Sequence, residues 1–234
     1  MQSEFDGLRK VRSALSYLVV SQVLLEAGAL LLLLFAFFTF NGGVPYLLVG
    51  FVVILIAFAL YFLSLAKFRS GFKLLRNFYK HLGIGYFGVN LIIIGYVLIL
   101  LVILYDVSAV TSPTSKTYVM SPLNPQLVLP LSFYLANILV ALIPALGNIL
   151  LMLGVYRIGN TYDEINVRVG GLLIIVGFIL SMAEIPIWIY GNLVAPNIIL
   201  PITIIVVSLF AINSVLFFIG VSFVYQGLSK ILRK

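Results

Sequence analysis

The sequence predicts an all-α integral membrane protein, a polytopic bundle of about six transmembrane helices. Three observations carry that prediction. Of 234 residues, 63% are hydrophobic and only 9% charged, with a mean hydropathy of +1.22. The apolar residues gather into runs long enough to cross a bilayer, and the basic residues fall almost entirely between alternate runs. A water-soluble domain needs a polar exterior, which so few charges in so few short segments do not supply. The exterior is therefore expected to be lipid.

A hydrocarbon core about 30 Å thick needs roughly 20 helical residues. Runs of that length extend from Ala14 to Phe40, Tyr46 to Ala66, Leu82 to Tyr105, Leu127 to Val155, Val169 to Tyr190 and Ile198 to Tyr225. The first is too long for a signal-peptide core and has no small-residue cleavage site after it, so it reads as a retained span.

Orientation follows from the basic residues. Arg9, Lys10 and Arg12 precede the first span; Lys67, Arg69, Lys73, Arg76 and Lys80 follow the second; Arg157 and Arg168 follow the fourth; Lys230, Arg233 and Lys234 follow the sixth. Of the 14 basic residues only Lys116 lies on the other side. The basic side is expected to be cytoplasmic, with both termini there, in the cell membrane. The net charge of +7 and pI near 9.6 then point to anionic lipid headgroups rather than nucleic acid.

The external connections at Asn41 to Pro45 and Gly191 to Asn197 are short and uncharged, which predicts tight antiparallel hairpins. Asp106 to Gln126, rich in Ser, Thr and Pro, reads as an irregular extracytoplasmic loop. Gly7, Gly71, Gly159 and Gly227 each stand near a basic residue on the opposite side. One reading is three repeated helical hairpins; the other is that glycine commonly ends helices.

The segment from 67 to 82 is amphipathic: Arg69, Lys73, Arg76 and Lys80 follow helical spacing beside a stripe of Phe68, Phe72, Leu75, Tyr79 and Leu82. The expectation is a helix along the cytoplasmic headgroups, aromatic side down, with those four basic residues on lipid phosphates.

Two acids, Glu26 and Glu184, interrupt the apolar runs, where an ionised carboxylate costs at least about 2.5 kcal/mol at the bilayer centre. Counted from the cytoplasmic starts of their spans, both lie roughly 20 Å deep and would share one layer. A pair at equal depth would hold a cation or proton, with Gln22 one turn from Glu26 and Asn213 near the same level as further candidates. The competing reading is protonated, hydrogen-bonded packing residues. Asn90, Asn137 and Asn148 are also within spans, where interhelical hydrogen bonding is the common use of an amide. Pro144 and Pro186 free the carbonyls of Val140 and Met182, either as cation ligands or as packing kinks.

Other chemistry is poorly represented. Gly83, Gly85 and Gly88 spell G-x-G-x-x-G, but in an apolar run rather than a βαβ unit, where glycines are expected to permit close helix packing. Cysteine is absent and His81 is the only histidine, so thiolate and multi-histidine metal sites are excluded and no cofactor is expected. Nothing suggests an enzyme.

The Gly-basic junctions at Gly7 to Arg12 and Lys67 to Gly71, with the glycine-punctuated spans Gly83 to Gly95 and Gly170 to Gly177, resemble a family of archaeal multi-pass membrane proteins catalogued as domain of unknown function number 973. The resemblance covers nearly the whole chain and implies no activity or site residues. Two functional expectations stand. One is a non-catalytic membrane scaffold or accessory subunit, joined to its own copies or to other membrane subunits. The other is a small transporter or channel for a cation, proton or small solute, built on Glu26 and Glu184.

Overall fold

In lipid a backbone amide finds no partner but another backbone group, so a long apolar run closes into helix. The computed structural model describes residues 2–38, 44–111, 131–193 and 199–233. They form α1 (Gln2–Phe38), α2 (Val44–Phe78), α3 (Gly83–Thr111), α4 (Leu131–Thr161), α5 (Ile165–Leu193) and α6 (Ile199–Ile231). A single 3-10 turn, Lys80–Leu82, joins α2 to α3, and no strand occurs among the described residues. All six helices contain a stretch long and apolar enough to cross a membrane, so the chain is a multi-pass helical membrane protein.

The helices outrun the predicted spans at the basic end. α1 starts at Gln2 rather than Ala14, α4 ends at Thr161 rather than Val155, and α6 ends at Ile231 rather than Tyr225. At the other end α3 continues to Thr111, so the first residues of the expected irregular loop are helical. The rest of that loop, and most of the two short connections expected to be tight hairpins, lie outside the described residues.

The amphipathic segment corrects an expectation. It is not a separate helix lying on headgroups; α2 runs unbroken through it to Phe78. Phe68, Phe72 and Leu75 have no exposed surface, and Leu8, Val11 and Leu15 of α1 are equally buried. A stripe at helical spacing reveals an apolar face but not what covers it. Leu75 meets α1 at Gly7, while Phe72 lies over Gly85 of α3 and Gly154 of α4, where added Cβ atoms would stand 2.5 and 3.0 Å from its ring; α1 and α2 themselves close at Gly7 and Gly71, a Cβ on Gly71 falling 3.0 Å from the Gly7 carbonyl oxygen.

The chain divides into two compact units. The first comprises Met1–Tyr86, Met152–Ile174 and Phe217–Lys234. It contains the basic ends of the helices, and its fully buried side chains include Leu82, Val155, Ile158, Val167, Val224 and Leu228. Its two turns are tight. At Tyr79 the chain is extended (φ −130°, ψ 96°), and the Leu82 amide closes back on the Tyr79 carbonyl at 2.9 Å. After α4, Asp163 adopts a left-handed conformation (φ 49°) and the Glu164 amide reaches the Gly159 carbonyl at 2.9 Å, the six-to-one bond of a Schellman motif. In the same unit α5 and α6 meet at glycines: a Cβ on Gly170 would be 2.4 Å from the Gly220 carbonyl oxygen.

The second unit comprises Phe87–Leu151 and Ile175–Leu216. Here α3 and α4 run antiparallel with their backbones in contact. A Cβ on Gly88 would lie 2.4 Å from the Leu151 amide nitrogen and 2.7 Å from the Gly147 carbonyl oxygen. Gly95 makes room for Pro144, whose Cδ would be 2.5 Å from a Cβ there, so this proline sits in a packed contact. Leu100, Leu104 and Ile204 are exposed apolar side chains, as a lipid-facing surface requires.

Candidate functional site

Polar groups inside a membrane helix must find partners among neighbouring helices, their own backbone or ligand. In the first unit Glu26 is half-buried on α1, and Gln22, one turn earlier, donates its Nε2 hydrogen to Glu26 Oε1 at 3.1 Å. The predicted pair of neighbours is thus in contact along one helix. The same helix is fastened to α2 by two buried serines. Ser21 Oγ donates to the Ala57 carbonyl and Ser64 Oγ to the Ala14 carbonyl, each at 2.8 Å. Neither serine stands out in the sequence; the only signal is a hydroxyl within an apolar run.

In the second unit Asn213 of α6 donates from Nδ2 to Ser181 Oγ of α5 at 2.9 Å, and Ser181 donates onward to the Gly177 carbonyl at 3.0 Å. A Cβ on Gly177 would stand 2.6 Å from Asn213 Oδ1, so the amide fills the space left by the glycine. Asn213 thus joins α5 to α6. The backbone of Glu184 belongs to α5, but its side chain lies outside the described residues, and so does the expectation that it meets Glu26.

At the basic end Arg69, Lys73, Arg76 and Lys80 are all exposed. Two of them lean on one ring: the guanidinium carbon of Arg76 is 4.4 Å, and that of Arg69 5.7 Å, from the centre of Tyr86. Arg12 reaches from α1 to α6, donating to Tyr225 Oη at 2.9 Å with its guanidinium 4.6 Å from that ring.

A second network, not foreseen from the sequence, ties the turns to the helix ends. Tyr162 donates its hydroxyl to Glu4 Oε1 at 2.6 Å, and Tyr79 packs edge-on to Tyr162 with ring centres 6.0 Å apart. Burial, then the Glu4 hydrogen bond and charge, push the Tyr162 hydroxyl above its ordinary range. Tyr79 is raised too, chiefly by hydrogen bonding to Glu4. Thr161 Oγ1 donates to the Arg157 carbonyl at 2.9 Å and lies 2.9 Å from His81 Nε2. Arg157 Nη1 in turn donates to the His81 carbonyl at 3.0 Å. Glu164, almost fully buried, accepts from Lys230 Nζ at 3.3 Å, and Arg168 pairs with Asp163.

Chemically, these groups hold helix ends and turns together. Among the described residues no three His, Asp or Glu side chains converge to hold a metal ion.

A family model described as "Protein of unknown function (DUF973)" matches residues 4–234. No curated protein and no solved structure matches the chain.

Proposed function

We propose that this chain, which belongs to the DUF973 family of proteins of unknown function, is a non-catalytic membrane scaffold or accessory subunit. It is held in the cell membrane by its six helices, with its basic ends and both termini in the cytoplasm. The observation that carries this reading is the disposition of the intramembrane polar groups. Ser21, Ser64 and Asn213 each close onto the neighbouring helix rather than onto a shared space. A transport path needs groups that exchange partners with a solute, whereas groups committed to interhelical bonds serve cohesion. The cytoplasmic orientation rests on the one-sided distribution of Lys and Arg. On that side Arg69, nearest the apolar run, is available to headgroups, and Lys73, Arg76 and Lys80 to an acidic subunit; a second copy is the other natural partner.

One observation favours the transporter reading. Glu26 is a half-buried carboxylate in an apolar run, the residue type that ion and proton paths employ. The two readings separate in liposomes. Purified protein is reconstituted with a trapped pH dye and with sodium- and potassium-sensitive dyes, beside a Glu26→Gln variant. The scaffold reading expects proton and cation leak equal to that of empty liposomes for both proteins. Flux that appears with the native chain and disappears in Glu26→Gln would replace it with the transporter reading.

A further inference from the structure

Where the charged ends of α1 and α2 pass into their apolar runs, the two helices flank an open surface cleft of about 520 Å³. Asp6, Arg9, Lys10 and Ser13 line it from α1, at the spacing of one helical face. Lys67 and Leu74, two turns apart, line it from α2. Asp6 pairs with Arg9 at 3.5 Å, which nearly cancels those two charges. Lys10 and Lys67 have no ion-pair partner among the described residues, so the cleft keeps a local excess of two positive charges. The half-buried hydroxyl of Ser13 lies at the end nearer the apolar runs.

The surroundings say what would enter. Lys67 is the first charged residue of α2 after its apolar run, and Arg12 the last of α1 before its own, so the cleft lies at the depth of lipid headgroups. Below it the same two faces turn apolar. From Ser13, α1 continues through half-buried Tyr17 to exposed Val20; from Lys67, α2 continues through exposed Leu63 to half-buried Leu60. A cationic cleft continued by an apolar track matches a molecule with an anionic head and long tails. From Asp6 to Ser13 the cleft is about 10 Å long, enough for one headgroup.

We propose that this cleft binds the phosphodiester headgroup of a single anionic phospholipid, with the phosphate between Lys10 and Lys67, Ser13 donating to it, and Asp6 accepting from headgroup hydroxyls. The inference stands apart from the scaffold and transporter readings, since it concerns neither a partner protein nor Glu26. It is also narrower than general attraction to an anionic surface, because it names one lipid and two lysines.

The test is native mass spectrometry of delipidated full-length protein titrated with phosphatidylglycerol, phosphatidylcholine or soluble glycerol phosphate. The expected result is one tightly retained phosphatidylglycerol, with phosphatidylcholine held at least tenfold less well and no displacement by millimolar glycerol phosphate. Lys10→Gln/Lys67→Gln should weaken retention about 25-fold, as loss of two charge contacts at a membrane surface implies. Lys10→Arg/Lys67→Arg should restore it, and Lys73→Gln/Arg76→Gln should leave it unchanged. All of these residues line a surface, so each variant's unfolding temperature without lipid serves as the folding control. Equal retention by Lys10→Gln/Lys67→Gln, or equal loss in Lys73→Gln/Arg76→Gln, would overturn the site. Displacement by glycerol phosphate would overturn the lipid in favour of a free phosphate ester.

Discussion

Substituting Gly88 by alanine tests whether backbone contact between α3 and α4 holds the second unit together. The added Cβ would fall 2.4 Å from the Leu151 amide nitrogen and 2.7 Å from the Gly147 carbonyl oxygen. Both are backbone atoms, so no rotamer change relieves the clash, and the helices must separate by about 1 Å to restore ordinary contact. A gap of that size forfeits a quarter to a half of the dispersion energy of the atoms involved, and overpacking typically costs about 1–3 kcal/mol. Alanine's better helix propensity returns about 1 kcal/mol, leaving a net loss of up to about 2 kcal/mol. Gly83 is the internal control: nothing lies within 4 Å of its added Cβ and its φ is −58°, so the same change there meets only the propensity gain. The assay is reversible unfolding in mixed micelles by increasing SDS, followed by far-UV circular dichroism. Gly88→Ala should unfold at lower SDS than the native chain and Gly83→Ala at equal or higher. If Gly88→Ala proves as stable as Gly83→Ala, close backbone packing is not what fixes these two helices.

A double-mutant cycle of Asn213→Ala and Ser181→Ala in the same unfolding assay should give a coupling of about 0.6 kcal/mol, the usual size of an interhelical hydrogen bond in lipid, and at most about 1.7; a zero coupling would remove the bond that joins α5 to α6. Alkali tests Tyr162, whose hydroxyl is held above its ordinary value of 10.0 in the folded protein. The stabilisation is full below that value and falls as pH rises past it, since the unfolded chain releases the proton first. Unfolding temperature should therefore drop between about pH 10 and 11 in the native chain, and Tyr162→Phe should lessen the drop; an unchanged slope in Tyr162→Phe would detach Tyr162 from it.

Much of the architecture was legible because lipid enforces it. Apolar runs of spanning length became helices, and Gln22 and Glu26, one turn apart, are hydrogen-bonded as their spacing allows. The stripe from Phe68 to Leu75 was legible as a face and misassigned to lipid, since what covers it, including Gly7 of α1 and Gly154 of α4, is distant in sequence. Glu4, Tyr162 and His81 were invisible as a group for the same reason. They lie far apart along the chain, and only the two tight turns bring them to the same end of the bundle. The charges there read as topogenic signals, a role that requires position along the chain alone. Gly7 and Gly71 read as helix ends or repeat markers, whereas both sit within helices where backbones touch; Gly88 packs as closely as its place in an apolar run suggests.

The unbroken course of α2 makes it a mast rather than a float. Arg76 lies nine residues beyond Lys67, about 13 Å further along the axis at 1.5 Å per residue, and little less at the usual tilt of about 20°. That distance exceeds the Debye length of about 8 Å at physiological ionic strength. With Lys67 at headgroup depth, as proposed, it would feel the phosphates beneath it, while Arg76 would be largely screened from them and face the solution. Under the proposed orientation one helix thus sorts its own charges by height, the lowest toward headgroups and the highest toward the solution.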